Sequence, residues 1–191
     1  MPRIDQKIFY ANAIKKYGTT ARGVAWSDET RQKKRFGAIL KALGPGDGRS
    51  IVDAGCGFGD FCLYVRERGW RSRRYIGIDA LKEMVDIARD RTGEKILQRD
   101  ILKDPLPDAD WYIASGSFNL LTRFETILAI KRCLDASYRG IVFNLLQGAD
   151  KSDTYNHWLP KEISKACRHF GQIEIYEGYL DGDFTVKITK G

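Results

Sequence analysis

The chain has 191 residues, with 32 Lys and Arg against 25 Asp and Glu, a formal charge of +7, 43% hydrophobic residues and 30% charged ones. That length suffices for one domain with a sizeable buried core, and the composition excludes disordered and fibrous classes. No apolar run reaches the ~20 residues of a membrane helix, and MPRIDQKIFY lacks a signal-peptide core, so a cytoplasmic protein without membrane contact is expected.

The first 50 residues hold eleven basic and four acidic side chains, so the entire charge excess lies there. Residues 1–48 read as an N-terminal helical segment and 49–191 as the core. Ser27 can cap a helix whose first turn holds Asp28 and Glu29 and which then carries RQKKR. That run reads as a solvated helix face or, interleaved with Tyr10, Tyr17 and Trp26, as a surface for nucleic acid.

After residue 48 strands and helices alternate. RSIVDAG is a strand, DFCLYVRERG a helix, RRYIGIDA a strand, and LKEMVDIARDRTG a helix closing at Gly93. EKILQRD and ADWYIASGS are strands, RFETILAIKRCLDAS a helix, and GIVFNLL an apolar strand. PKEISKACRHFG starts on proline and ends on glycine, as helices prefer. QIEIYEGYL and DFTVKITK flank Asp-Gly-Asp as a terminal antiparallel hairpin. This order predicts an α/β fold, an open and mostly parallel sheet covered by helices on both faces, with ligands bound beyond the carboxyl ends of the strands.

The unusual residues fall there. IVDAGCGFGD places Gly55, Gly57 and Gly59 directly after the first strand, so a ligand comes close to the backbone. The chain has no P-loop, and G-x-G-x-G followed by Asp60 matches the dinucleotide fingerprint poorly. Three carboxylates sharpen the choice. Asp53 precedes the first glycine, Asp79 ends the second strand where both hydroxyls of a ribose could donate to it, and Asp100 follows the third where an adenine amino group could. Such a set suits a cationic nucleoside and suits a pyrophosphate badly; a helix cap or a solvated loop acid is the structural alternative. Cys56, Cys62, Cys133 and Cys167 form no CxxC pair, and with only His157 and His169 no metal site is expected.

VDAGCGFGD, YIGIDA, QRDIL and DWYIASGSFN together resemble successive motifs of the class I S-adenosylmethionine-dependent methyltransferases, over about residues 20–191. The resemblance implies a single-domain, Rossmann-like seven-stranded sheet with an antiparallel last strand, S-adenosyl-L-methionine as cofactor, and methyl transfer. By position it implies that Asp79, with Ala80 beside it, binds the ribose, and that Asp100 and Ile101 bind the adenine. Gly55, Cys56 and Gly57, with Asp53, would hold the methionine part, and Ser115 and Gly116 would lie beside it and the reacting methyl. It also implies that Trp26 and Arg35 close over the methionine part as a lid spanning 17–36.

On the acceptor side the SGSFN stretch ends at Asn119 and lacks the [DNS]-P-P-[YFW] pattern of enzymes that methylate exocyclic amines of nucleic acids. His157 in YNHWLP is a candidate base because its unperturbed pKa lies near neutrality, and Asn119 and Tyr17 are further acceptor-side candidates. Asn144 is a polar residue inside an apolar strand and is read as structural. A small-molecule acceptor methylated on O or N is expected; a nucleic-acid or modified-nucleotide acceptor and a non-catalytic cofactor-binding subunit are the alternatives.

Overall fold

The computed structural model describes residues 6–18, 29–45, 48–150 and 152–191. In chain order the elements are α1 (Gln6–Tyr17), α2 (Glu29–Leu43), β1 (Ser50–Ala54), α3 (Asp60–Glu67), β2 (Arg74–Asp79), α4 (Lys82–Thr92) and β3 (Lys95–Gln98). Then follow β4 (Ala109–Ala114), α5 (Arg123–Asp135), β5 (Ser137–Gln147), β6 (His157–Trp158), α6 (Pro160–Cys167), β7 (Gln172–Tyr176) and β8 (Asp183–Thr189).

The sheet runs β3-β2-β1-β4-β5-β8-β7, with the short β6 added beside β5. Strands β1 to β5 pair in parallel, and β8 is antiparallel to both β5 and β7. Both faces are covered, so the central strands read as continuous apolar runs. Side chains then alternate between two cores. Ile51, Ile113 and Val142 pack with Phe36 and Ile39 of α2, Phe61 and Val65 of α3, and Val85 and Ala88 of α4. Val52, Tyr112 and Ile141 pack instead with Ala129, Ile130 and Cys133 of α5 and Ile163 and Cys167 of α6. The strand order reverses between β1 and β4, where a doubly wound sheet opens a crevice beyond its strand ends.

The glycine turn after β1 is shaped by close approach. Gly55 has φ +77°, and a Cβ there would lie 2.3 Å from Ser117 Cβ; Gly59, at φ +78°, would put one 2.5 Å from Thr92 Cγ2. The third glycine therefore lets the loop lie against the end of α4.

Three of the differences from the sequence expectation bear on the site. Helix α5, with its Thr122–Glu125 capping box, stops at Asp135, and β5 begins at Ser137, across a register shift opposite Ala109 and Trp111. Strand β7 ends at Tyr176 instead of continuing through Leu180, so Asp183 opens β8 and is buried. Strand β6 was not expected, since two residues carry no readable period; His157 and Trp158 pair with Leu146 and Gln147.

Candidate functional site

A cavity of about 150 Å³ lies at the carboxyl ends of β1, β2 and β4. Asp53, Gly55, Cys56 and Gly57 border it from β1 and its turn, and Asp79 and Ala80 from β2. Asp100 and Ile101 border it after β3, and Ser115, Gly116 and Asn119 after β4.

The turn is tied to β2 through the backbone. Gly55 and Cys56 both donate their N–H to the Ile78 carbonyl, at 2.8 and 3.0 Å. Asp79 accepts from Gly57 N–H at one carboxylate oxygen and from Leu81 N–H at the other, each at 3.0 Å. These bonds leave further acceptor capacity on the carboxylate, as a pair of hydroxyl donors requires. Burial pushes the Asp79 carboxyl up, and the N–H groups of Leu81, Gly57 and Ala80 pull it back.

Asp53 is 2% exposed and accepts the Tyr75 hydroxyl at 2.6 Å. Burial pushes its carboxyl up to about 7, against the Tyr75 hydrogen bond, with the charges of Asp79 and Asp60 adding to the rise. It thus holds a proton near neutrality that a nearby cation would displace. Asp100 accepts the Leu102 N–H at 2.9 Å within a turn, and Lys103 Nζ lies 3.6 Å from its second oxygen. The Cys56 thiol is pushed well up by burial, which removes it as a nucleophile.

Asn119 is 7% exposed; its N–H donates to Gly116 at 3.1 Å and its carbonyl accepts from Asn156 N–H at 2.7 Å. Ser115 donates its hydroxyl to Asn144 Oδ1 at 3.0 Å. Asp53, Asp79 and Asp100 thus bring three carboxyl groups to one cavity, acceptors of the kind that a cationic nucleoside with free hydroxyls could engage.

Three residues named from the sequence, Arg35, Tyr17 and His157, are not found at this cavity. Arg35 is 2% exposed and ion-paired with Asp183, because α2 packs against the start of β8. Tyr17 ends α1, where Lys16 Nζ lies 5.0 Å from its ring, and it is 38% exposed. His157 is drawn into β6, its Nδ1 3.2 Å from the Tyr155 carbonyl and its own carbonyl accepting from Arg123 at 2.8 Å. Trp26 lies outside the described residues, as does the rest of 19–28 within the expected 17–36 lid.

Other bordering residues were missed. Gln32 and Phe36 of α2 and Tyr155 of the β5–β6 connection line the cavity. Gln32 donates to Asp60 at 3.1 Å, and Asp60 also accepts from Arg91 at 2.7 Å. The ring of Tyr155 meets Phe9 of α1 edge-on, 6.4 Å between centroids. A signal for two of these was present: Gln32, Phe36, Ile39 and Leu43 share one helical face, and Gln32 is the polar member of that buried stripe. Among the described residues no cluster of His, Cys, Asp or Glu could hold a metal ion, and no helix is long and apolar enough to cross a membrane.

Residues 51–138 match a family model described as a methyltransferase domain. Over 165 residues the chain is 34% identical to Rv1506c of Mycobacterium tuberculosis, named a methyltransferase without a stated acceptor, covering 79% of this chain and 99% of that one. A shorter match, 41% over 71 residues, is to the malonyl-[acyl-carrier protein] O-methyltransferase of Serratia marcescens, covering 37% of this chain and 27% of that protein. Magnesium protoporphyrin IX methyltransferase of Synechocystis, solved with bound S-adenosylhomocysteine, shares the fold with a TM-score of 0.74 at 13% identity, over 98% of this chain and 100% of that one.

Proposed function

The chain belongs to the class I S-adenosylmethionine-dependent methyltransferases, and we propose that it methylates an oxygen or nitrogen atom of a small-molecule acceptor. It is an enzyme with S-adenosylmethionine as cofactor, which sets aside the non-catalytic subunit left open by the sequence. When bound, that cofactor supplies an electrophilic methyl on a sulfonium whose thioether leaves without needing an acid.

The residues present would divide the work as follows. Asp79 holds the ribose hydroxyls with its remaining acceptor capacity, and Asp100 with Ile101 holds the adenine. The Gly55–Gly57 turn, Ser115 and Gly116 seat the methionine part, and Asp53 opposes its positive charge. The contribution to rate is then mainly alignment of acceptor and methyl. Asn119 and Tyr155 face the acceptor end. Burial pushes the Tyr155 hydroxyl up, so it stays protonated at neutral pH and takes no proton from an acceptor, and His157 stands outside the cavity. With no base assigned at the acceptor end among the described residues, an acceptor atom nucleophilic on arrival is favoured, a neutral amine or an oxygen already deprotonated.

The observation that carries the small-molecule reading is the cavity wall. Gln32 and Phe36 of α2 and Tyr155, backed by Phe9, stand around the cavity where a nucleic-acid acceptor would need an open groove. Of the basic run on α2, Arg35 is buried against Asp183, whereas Arg31 meets the Asp181 carbonyl and Lys33 meets Glu29 at the surface. The test is transfer of labelled methyl from S-adenosylmethionine into fractionated cell extract. Label should enter the fraction of small metabolites, and nucleic acid should bind only through a steeply salt-dependent term that is gone by ~200 mM salt. Label in RNA or DNA, or tight binding that survives such salt, would overturn the small-molecule reading in favour of the nucleic-acid one.

A further inference from the structure

A chain of buried and half-buried polar groups runs from the cavity to α2, and its donors and acceptors fix the direction of each proton along it. At its far end Asp183 is paired with Arg35, and both are at most 2% exposed. A guanidinium has no acceptor and keeps its proton, so Asp183 beside it is a carboxylate, which only accepts. The Tyr179 hydroxyl touches Asp183 Oδ1 and must spend its one proton there.

Tyr179 also lies 2.9 Å from Thr185 Oγ1. With the tyrosine proton committed, the bond between these oxygens takes the threonine proton. Thr185 then has none left for Asn144, whose amide lies 2.7 Å away, so Asn144 must present Nδ2 to it; Nδ2 also lies 3.3 Å from the Tyr179 oxygen. The reversed amide would set its oxygen against two oxygens with no proton between them. Asn144 Oδ1 consequently faces Ser115, 3.0 Å away, and Ser115 must donate. The hydroxyl of Ser115 is left with lone pairs alone to offer the cavity it borders.

We propose that Asn144, Thr185 and Tyr179 are positioning residues that hold Ser115 as an obligate hydrogen-bond acceptor toward the cavity, selecting a ligand that carries an N–H donor at that point. The inference rests on the proposed seating of the methionine part beside Ser115, whose α-ammonium is the donor in question. A hydroxyl free to rotate would serve donor and acceptor ligands alike; one with its proton fixed cannot. Asn144 and Thr185 are fully buried polar residues in the strands β5 and β8, and this role accounts for a cost that an apolar pair would not incur.

The test compares two ligands by calorimetry: S-adenosylhomocysteine and its analogue lacking only the α-amino group. The wild type should prefer S-adenosylhomocysteine by about tenfold or more, in line with a charge-assisted hydrogen bond. Ser115→Ala should weaken S-adenosylhomocysteine and leave the analogue nearly unchanged. Tyr179→Phe keeps the ring but frees the Thr185 proton for Asn144, which lets the amide turn and the Ser115 proton swing into the cavity. It should therefore narrow the preference as well, although Tyr179 is two residues removed from Ser115 along the network. Asp79→Ala is the control for the underlying seating and should weaken both ligands equally. If Ser115→Ala or Tyr179→Phe shifts both ligands by the same factor, or neither, the proposal is overturned while the Asp79 result still stands. If Asp79→Ala leaves both ligands unaffected, the seating itself fails.

Discussion

The two halves of the cavity are built in different ways. On the side of β1, β2 and β3, each functional group is held by its near neighbours: Asp79 by the N–H of Leu81 and of the adjoining glycine turn, and Asp100 by the N–H of Leu102. On the side of β4 and β5, Ser115 is set by Asn144, which is set by Thr185 and Tyr179, which answer to Asp183 and Arg35 at opposite ends of the chain. The first half is a local backbone device that any ligand-binding sheet of this type can repeat. The second is a long-range side-chain device, and it couples the seating of α2 to the floor of the cavity.

That contrast can be broken most forcefully at Arg35. Arg35→Ala leaves the Asp183 carboxylate buried without its cation, which should cost about 3–5 kcal/mol of stability, read as a lower denaturant midpoint. A loss under about 1 kcal/mol would mean that α2 and β8 are not held together by this pair.

On the local side the expected effect is on pH dependence. The Asp53 carboxyl is near 7 in the fold and near its ordinary acidic value when unfolded, so the folded state binds the extra proton between those limits. Its contribution to stability is full below about pH 4 and is lost as pH rises through about 7. Asp53→Asn should flatten that part of the stability curve by about 2–4 kcal/mol, measured by unfolding at a series of pH values. A wild-type curve that climbs steadily over the same interval and does not respond to the substitution would contradict the burial argument.

The smallest effect is expected at His157. Its side chain meets a backbone carbonyl outside the cavity, so His157→Ala should change the dissociation constant of S-adenosylhomocysteine by less than about twofold, within the range of ordinary surface substitutions. A tenfold loss would return His157 to the site.

The same contrast explains how much could be read from the sequence. That the glycine turn, Asp53, Asp79 and Asp100 would meet at one cavity was legible because the signals are local: glycines where a strand meets a helix, and acids at strand ends. The sheet was legible for the same reason, through apolar runs and their punctuation. Arg35 was misassigned because nothing near it announces Asp183, which becomes its neighbour only when β8 inserts between β5 and β7. Asn144 was recognised as a polar residue needing partners, yet those partners come from a strand and a loop near the other end of the chain. YNHWLP does reach the cavity, but through Tyr155, since two residues of β6 pairing take His157 away.

The central claim, that the strand-end carboxylates bind the nucleoside, is tested most directly by calorimetric titration of wild-type and Asp79→Ala protein with S-adenosylhomocysteine. The wild type should bind in the micromolar range, and the variant at least tenfold more weakly, about 1.4 kcal/mol for hydrogen bonds lost to a carboxylate. Equal affinity in the two proteins, with the variant folded, would contradict the account.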